Sequence, residues 1–347
     1  MSLVLQVDAE RWRGHLKAHA AAGPGLVPVA KGNGYGFGLA RLAAEAAALG
    51  AGTLAVGSPE EVAAVTGPFP GDVLVLAPWR PDHPDLGPVG GRLVRTVAHL
   101  DALTALRGRG ARVVVECLSS MRRHGIPAHE VAALAPLLEG LALEGFALHL
   151  PLARPGGRPH VPEVTSWIER LHAAGLPVER LWLSHLTPGE LAELRVRHPG
   201  LELRPRVGTA LWLGDRGALR VTASVLDVRP LARGHRFGYR QRRAERAGTL
   251  LVVSGGTAHG VGLEAPKSGG GLAGRVKVLG AAVLSAAGWS RSPFRVIGRQ
   301  RWYAEPPHMQ VSMLLLPAGV TPPALGDEVE VEVRMTTTTF DRVSGLG

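Results

Sequence analysis

Eight short β-branched runs alternate with Ala/Leu-rich stretches through the first two hundred residues. No other feature constrains the fold as strongly. The runs are 26–30, 53–57, 73–77, 95–98, 113–117, 143–149, 181–185 and 203–207. Between most of them lie segments 39–48, 59–65, 102–106, 130–138, 163–174 and 189–195, whose apolar residues recur at helical spacing. Asp8 and Ser58 stand where N-caps belong, and Ser58 with Glu61 forms a capping-box pattern. Strands alternating with helices in this number predict a (β/α)8 TIM barrel. A doubly wound sheet is the competing arrangement. It usually carries a GxGxxG phosphate loop after its first strand, and here a lysine occupies that place.

The pattern changes near residue 215. Strand-like runs then dominate, at 221–228, 249–253, 274–282, 295–298, 310–316 and 328–335, separated by Gly/Pro-rich turns. They predict an all-β domain, with a mobile loop over 265–274. The expected division is a barrel over 1–217 and a β-rich C-terminal domain over 218–347.

Composition narrows the function classes. With 46% apolar and 20% charged residues in 347, the chain reads as a globular protein of about two domains. No apolar run approaches a membrane span, and the N-terminus lacks a secretory pattern, so the expected compartment is the cytoplasm. One cysteine, Cys117, excludes an internal disulfide framework and a Cys-based metal cluster. No metal site is expected. The net charge of +10 raises the question of nucleic acid. However, the arginines are scattered, Arg242-Arg243 being their densest pairing, and aromatics for base stacking are few. Nucleic acid is therefore not an expected partner, although the charge favours anionic ligands.

Only four lysines occur, and Lys31 sits at a distinctive place. It ends the apolar run Val27-Pro28-Val29-Ala30 and opens Gly32-Asn33-Gly34-Tyr35-Gly36-Phe37-Gly38. Functional groups of a parallel barrel gather at the C-terminal ends of its strands. A lysine partly desolvated there has a lowered pKa and can form a Schiff base.

This segment, Val-x-Lys-x-Asn-x-Tyr-Gly-x-Gly, resembles the pyridoxal-phosphate (PLP) motif of the alanine racemase family, the fold-type III PLP-dependent enzymes. The family has an N-terminal (β/α)8 barrel and a C-terminal β domain. The resemblance runs in order along nearly the whole chain: 55–61, Met121-Arg122-Arg123-His124-Gly125, 143–149, Ser184-His185-Leu186-Thr187, 204–211, Arg236-Phe237-Gly238-Tyr239, 309–313 and 326–329. It implies that Lys31 carries the cofactor and serves as one proton-transfer base. Tyr35 would hydrogen-bond the phosphate, with Thr187 and the Gly208 and Thr209 amides as further phosphate ligands. Arg123 would lie near the cofactor hydroxyl and the substrate carboxylate, His149 against the ring, and Arg206 at the pyridine nitrogen. An arginine cannot accept a proton there, which suits tightly coupled proton removal and return rather than decarboxylation. The resemblance further implies a head-to-tail homodimer with a shared active site, the β domain of one chain closing the barrel mouth of the other.

Three positions depart from the family, one of them Gln310, which stands where the family's Met-Asp-Gln-like segment has an aspartate and bears on substrate positioning. The family's second base is a tyrosine in a Gly-Tyr-Ala-Asp-Gly segment of the β domain. Here the matching stretch is Gly255-Gly256-Thr257-Ala258-His259-Gly260. Thr257 is a poor base because its hydroxyl pKa is too high, and His259 is the candidate substitute, with Tyr303 and His308 behind it. Glu116 replaces a family lysine that orients the cofactor-site arginine, and a carboxylate could orient Arg123 directly. Cys117 reads as a packing residue. The expectation is a PLP-dependent enzyme acting at Cα of an amino acid, by racemization or epimerization with an altered second base or substrate. One-base chemistry (exchange, elimination or decarboxylation) and non-catalytic PLP binding are the alternatives.

Overall fold

The computed structural model describes residues 2–82, 91–263 and 290–346. They divide into two compact units: residues 13–214, and residues 2–12 together with those from 215 onward. Among the described residues no helix is long and apolar enough to cross a membrane.

Strand β1 (Leu3–Val7) belongs to the second unit. The first unit holds eight parallel strands, β2 (Val27–Pro28), β3 (Thr53–Val56), β4 (Asp72–Val75), β5 (Leu93–Val97), β6 (Arg112–Cys117), β7 (Ala142–Leu148), β8 (Arg180–Ser184) and β9 (Glu202–Val207). Each of the eight runs expected from the sequence contains or overlaps one of them. Strand order is β2-β9-β8-β7-β6-β5-β4-β3, and the parallel bridge Val29–Ala55 closes the ring.

Period-two alternation decides which side chains face inward. Val27, Val29, Ala55, Leu74, Val94, Val114, Ala147 and Trp182 fill the barrel interior. Their neighbours Val113, Val115, Phe146, Leu148, Leu181, Leu183 and Leu203 pack outward in a separate cluster that also includes helical side chains. Among the latter are Val164, Ile168 and Leu171. Continuing the inward parity along each strand reaches Lys31, Glu116, His149, Ser184 and Arg206. The N-terminal ends of the strands carry a different chemistry. There Arg112 pairs with Asp72 and Glu144, each at 2.7 Å, and Arg180 bridges Glu144 and Glu202 at 2.7 and 2.6 Å. These ion pairs lie at the pole opposite the strand C-termini, the face of such barrels that serves stability rather than chemistry.

The second unit is an antiparallel sheet apart from one parallel pair. Its strands after β1 are β10 (Leu219–Leu231), the short hairpin β11 (Arg236–Phe237) and β12 (Arg242–Arg243), β13 (Gly248–Ser254), β14 (Arg291–Val296), β15 (Arg299–Tyr303), β16 (Val311–Pro317), β17 (Glu328–Val331) and β18 (Arg342–Ser344). The main sheet runs β13-β16-β15-β14-β17-β10-β1-β18, with β13 also pairing β10. Long β10 makes this closure possible. It bends at a bulge between Val225 and Asp227, pairing β1 and β17 before the bulge and β13 mostly after it.

Two sequence expectations meet this sheet differently. Residues 2–12 join the β unit rather than the barrel, because β1 pairs Leu3–Val7 with 219–223 and its apolar side chains are buried there. The expected strand over 295–298 is strand only in its first half: Arg295 and Val296 end β14, and Ile297-Gly298 turn the chain into β15. The expected strand 274–282 and loop 265–274 lie outside the described residues.

Candidate active site at the barrel mouth

Backbone hydrogen bonds carry the chain from β2 to Lys31. The Val29 N–H donates to Val207 O at 2.9 Å and the Ala30 N–H to Ala55 O at 2.8 Å. Just beyond, Glu61 clamps two loops together, accepting the Gly32 and Gly57 N–H groups at 2.6 Å each. It also accepts the Ser58 N–H at 3.3 Å, the backbone half of the expected capping box. Lys31 is exposed by area, yet its ammonium is crowded by protein and by like charge. Burial, then the positive charge of Arg123, lower its pKa against the pull of Glu61; Arg206 adds to the lowering.

The glycine-rich turn after Lys31 positions Tyr35. The tyrosine is buried and sits in left-handed backbone, φ 54°, which non-glycine residues rarely adopt. A Cβ on Gly34 would lie 2.7 Å from the Leu39 amide, so only glycine fits that bend. The Tyr35 hydroxyl reaches Thr209, and burial pushes its pKa up to about 12. A Cβ on Gly208 would sit 2.1 Å from that hydroxyl. Tyr35, Gly208 and Thr209 thus meet at one point, where β9 turns into the short helix Thr209–Trp212.

Arg206, on β9, is buried. Its Nη2 donates to Leu148 O at 3.2 Å, and its Nε has no hydrogen-bond partner among the described residues. Glu116 on β6 is also buried. Desolvation raises its pKa, opposed by the charges of Arg206 and Arg123. The loop after β6 doubles back, with Ile126 N–H donating to Glu116 O at 2.8 Å and Leu118 N–H to Ile126 O at 2.9 Å. It carries Arg123, whose charge acts on Lys31, Glu116, His149 and Arg206. Cys117 is fully buried, and burial raises its thiol pKa, as suits a packing residue.

His149 follows β7. Burial first, then Arg206 and Arg123, lower its pKa to about 3, so the ring is neutral near pH 7. Its Nδ1 lies 3.0 Å from Ser184 Oγ. The ring of His185 meets it edge-on, with centroids 5.1 Å apart. Ser184 and His185 were not singled out from the sequence, although inward parity along β8 selects Ser184. Thr187, which was, caps the helix Pro188–Arg197: its hydroxyl donates to Glu190 Oε2 at 2.9 Å and accepts the Glu190 N–H at 3.2 Å. That commits the hydroxyl to the helix.

In the β unit the expected substitute base is differently placed. His259 is buried; its Nδ1 accepts the Gly256 N–H at 3.3 Å and its Nε2 lies 3.1 Å from Asp341 Oδ1. Asp341 is held in turn by the Leu3 N–H at 2.7 Å. With both ring nitrogens occupied, His259 ties a turn to the sheet, and the geometry gives it no free lone pair for proton transfer. Tyr303 is buried edge-on to Phe294. Thr257 lines a pocket of about 610 Å³ with Tyr239, Glu305 and His308 among its walls. Among the described residues no cluster of His, Cys, Asp or Glu is arranged to hold a metal ion.

A parallel eight-stranded barrel with a lysine, two arginines and two histidines at its strand ends, in a chain with an antiparallel β unit, defines a recognisable class. Residues 10–212 match the family "Alanine racemase, N-terminal domain", and the chain belongs to that family. The alanine racemase of Streptomyces coelicolor is 27% identical over 300 residues, covering 76% of each protein. The fold is shared with solved structures. The crystal structure of alanine racemase from Bartonella henselae with covalently bound pyridoxal phosphate superposes with a TM-score of 0.70 at 16% identity, covering 96% of this chain and 91% of that one. The Streptomyces coelicolor structure gives 0.67 at 21% identity, covering 96% and 89%.

Proposed function

We propose that this chain is a PLP-dependent enzyme acting at Cα of a small amino acid, by racemization or epimerization. The observation that carries the reading is the cationic barrel mouth: Lys31, with its pKa lowered, beside Arg123 and the buried Arg206. The residues present fit the cofactor. A primary amine with lowered pKa suits a carbonyl partner. Arg206, with a buried Nε lacking a protein partner, suits an acceptor such as a ring nitrogen. Tyr35 with the Gly208 and Thr209 amides suits a phosphate, and Gly208 leaves no room for a side chain beside Tyr35. His149 would lie against the ring, with Arg123 near the substrate carboxylate.

Bound pyridoxal phosphate supplies an electron sink for a bond broken at Cα. The protein's part is to choose the bond and move the proton. Lys31, easier to deprotonate than an ordinary lysine, takes or returns the Cα proton on its own face. Arg206 holds a fixed charge that cannot accept a proton, which favours prompt return over a long-lived carbanion. Neutral His149 contributes packing without adding charge. We carry the homodimer and the cytoplasmic location as parts of this reading. A second reading, one-base exchange from the Lys31 face alone, is favoured by Thr257 at the expected tyrosine position and by the locked ring of His259.

The visible spectrum of the purified protein and of Lys31→Ala, before and after borohydride, tests the proposal. The expected result is a yellow wild type whose cofactor borohydride fixes to the chain, and a variant in which nothing is fixed. A colourless protein that takes up no added cofactor would sink it.

A further inference from the structure

The β-unit pocket holds a pair of ionisable side chains that the barrel-mouth chemistry leaves unused. Glu305 is buried, and its Oε2 accepts the Tyr239 N–H at 3.0 Å. Its Oε1 lies 2.6 Å from His308 Nε2. Gly238 makes room for this carboxylate: a Cβ there would lie 2.1 Å from Glu305 Oε2, and the glycine adopts φ +70°. The His308 ring is braced by Tyr239, with centroids 4.5 Å apart. Its side chain keeps 23% of its surface exposed, whereas Glu305 keeps 3%. Both residues line the pocket that Thr257 also lines, and the Thr257 N–H donates to His308 O at 2.8 Å.

A carboxylate accepting from one ring nitrogen fixes an imidazole in the tautomer whose other nitrogen is bare. Here Nε2 donates to Glu305, and Nδ1 is left as the acceptor. Among the described residues, Nδ1 has no hydrogen-bond partner. The contrast with His259, whose two nitrogens are both occupied, is direct.

We propose that His308, oriented by Glu305 and Tyr239, is the second proton-transfer group of this protein, taking the place that Thr257 cannot fill. The proposal rests on the racemase reading above. In one direction His308 Nδ1 takes the Cα proton and Lys31 delivers one to the opposite face, and in the other the roles exchange; after each turnover the protonated group releases its proton to solvent and the deprotonated one regains a proton from it, so protons balance. Glu305 is a positioning residue.

The test uses the full-length, PLP-loaded protein in heavy water with the proteinogenic amino acids in both hands. For the amino acid that wild type exchanges fastest, His308→Gln is expected to lower racemization about 100-fold. Exchange with retention from the enantiomer served by Lys31 should persist. Added imidazole should restore part of the loss in His308→Gly, which a merely structural histidine would not allow. A second readout needs no cofactor. In the histidine ¹⁵N spectrum, the neutral His308 ring should be protonated at Nε2 and bare at Nδ1, and Glu305→Gln should disturb that preference. Racemization by His308→Gln within about twofold of wild type, well short of a general base's contribution, overturns the proposal and leaves the racemase reading standing. An Nδ1-protonated ring in wild type overturns it too. If wild type exchanges no Cα proton of any amino acid, both fall.

Discussion

The mouth of the barrel and the pocket of the β unit both gather ionisable side chains, but by opposite routes. In the barrel, topology does the gathering. Every parallel strand delivers its C-terminal end to one pole, so residues far apart in sequence, such as Lys31, His149 and Arg206, must converge if they share inward parity. In the antiparallel unit no pole exists. Loops leave the sheet in several directions, and two residues of separation decide whether a side chain reaches a pocket or the interior. Thr257 lines the pocket while His259, two places on, is buried against Asp341.

The largest effect should fall on the barrel side. Lys31→Ala is expected to lower Cα deuterium exchange by about 10³-fold, since the amine is both attachment point and base. Mass spectrometry of the substrate in heavy water reads this directly. Exchange surviving at the wild-type rate would mean that convergence at the pole does not mark the chemistry.

His259→Ala attacks the other half of the comparison. If the ring is a tie between turn and sheet, its removal strands Asp341 and should cost about 1–3 kcal/mol of stability, read as a lower urea midpoint. A tenfold or greater loss of racemization with the midpoint intact (about 1.4 kcal/mol in the barrier) would return His259 to the candidate bases.

The same contrast explains how much could be read from the sequence. All eight barrel strands were legible because each is a short apolar run bounded by helical periodicity. Once the strands are placed, parity alone brings Lys31, Glu116, His149 and Arg206 inward. Ser184 is equally legible by parity, whereas Thr187, beyond the end of β8 at Ser184, has no strand parity to mark which way it faces. In the β unit, the membership of Leu3–Val7 was not legible. Its partners are more than two hundred residues away, and nothing local distinguishes it from a first barrel strand. The His308–Glu305 pairing was invisible for a related reason. It depends on Gly238 leaving space for a carboxylate that lies 67 positions further along the chain.

The barrel mouth should also declare itself in acid. His149 is held at a pKa of about 3, against an ordinary value of 6.5. Across that window the unfolded chain binds a proton that the folded chain refuses, so this histidine's contribution to stability is lost as pH falls through it. Replacing it with asparagine removes that loss. Between about pH 8 and about pH 4, the stability of wild type relative to His149→Asn should fall by on the order of 1–2 kcal/mol, discounted for partial solvent screening. Urea titrations of both proteins at each pH measure it. Parallel curves would show that the burial of His149, and the cationic surroundings that add to it, are relaxed away in solution.

The smallest effect separates a helix cap from a ligand. Thr187 closes a capping box with Glu190, and Glu190 also holds Arg154 and the His160 N–H, at 2.7 Å for the latter. Thr187→Val keeps the shape and removes the hydroxyl. As a cap alone, Thr187 should cost about 1 kcal/mol on substitution, visible as a small shift of the urea midpoint, with the cofactor dissociation constant moving less than twofold, or about 0.4 kcal/mol. A hydroxyl that donates directly to a phosphate is a charge-assisted bond, and its loss would weaken cofactor binding by about tenfold or more. The two outcomes separate because the cap acts on the folded chain with or without cofactor, whereas a phosphate ligand acts only on the loaded one. Comparing the midpoint shift of apo and loaded protein therefore decides whether the pole of the barrel ends at Ser184 and His185 or extends one turn further, to Thr187.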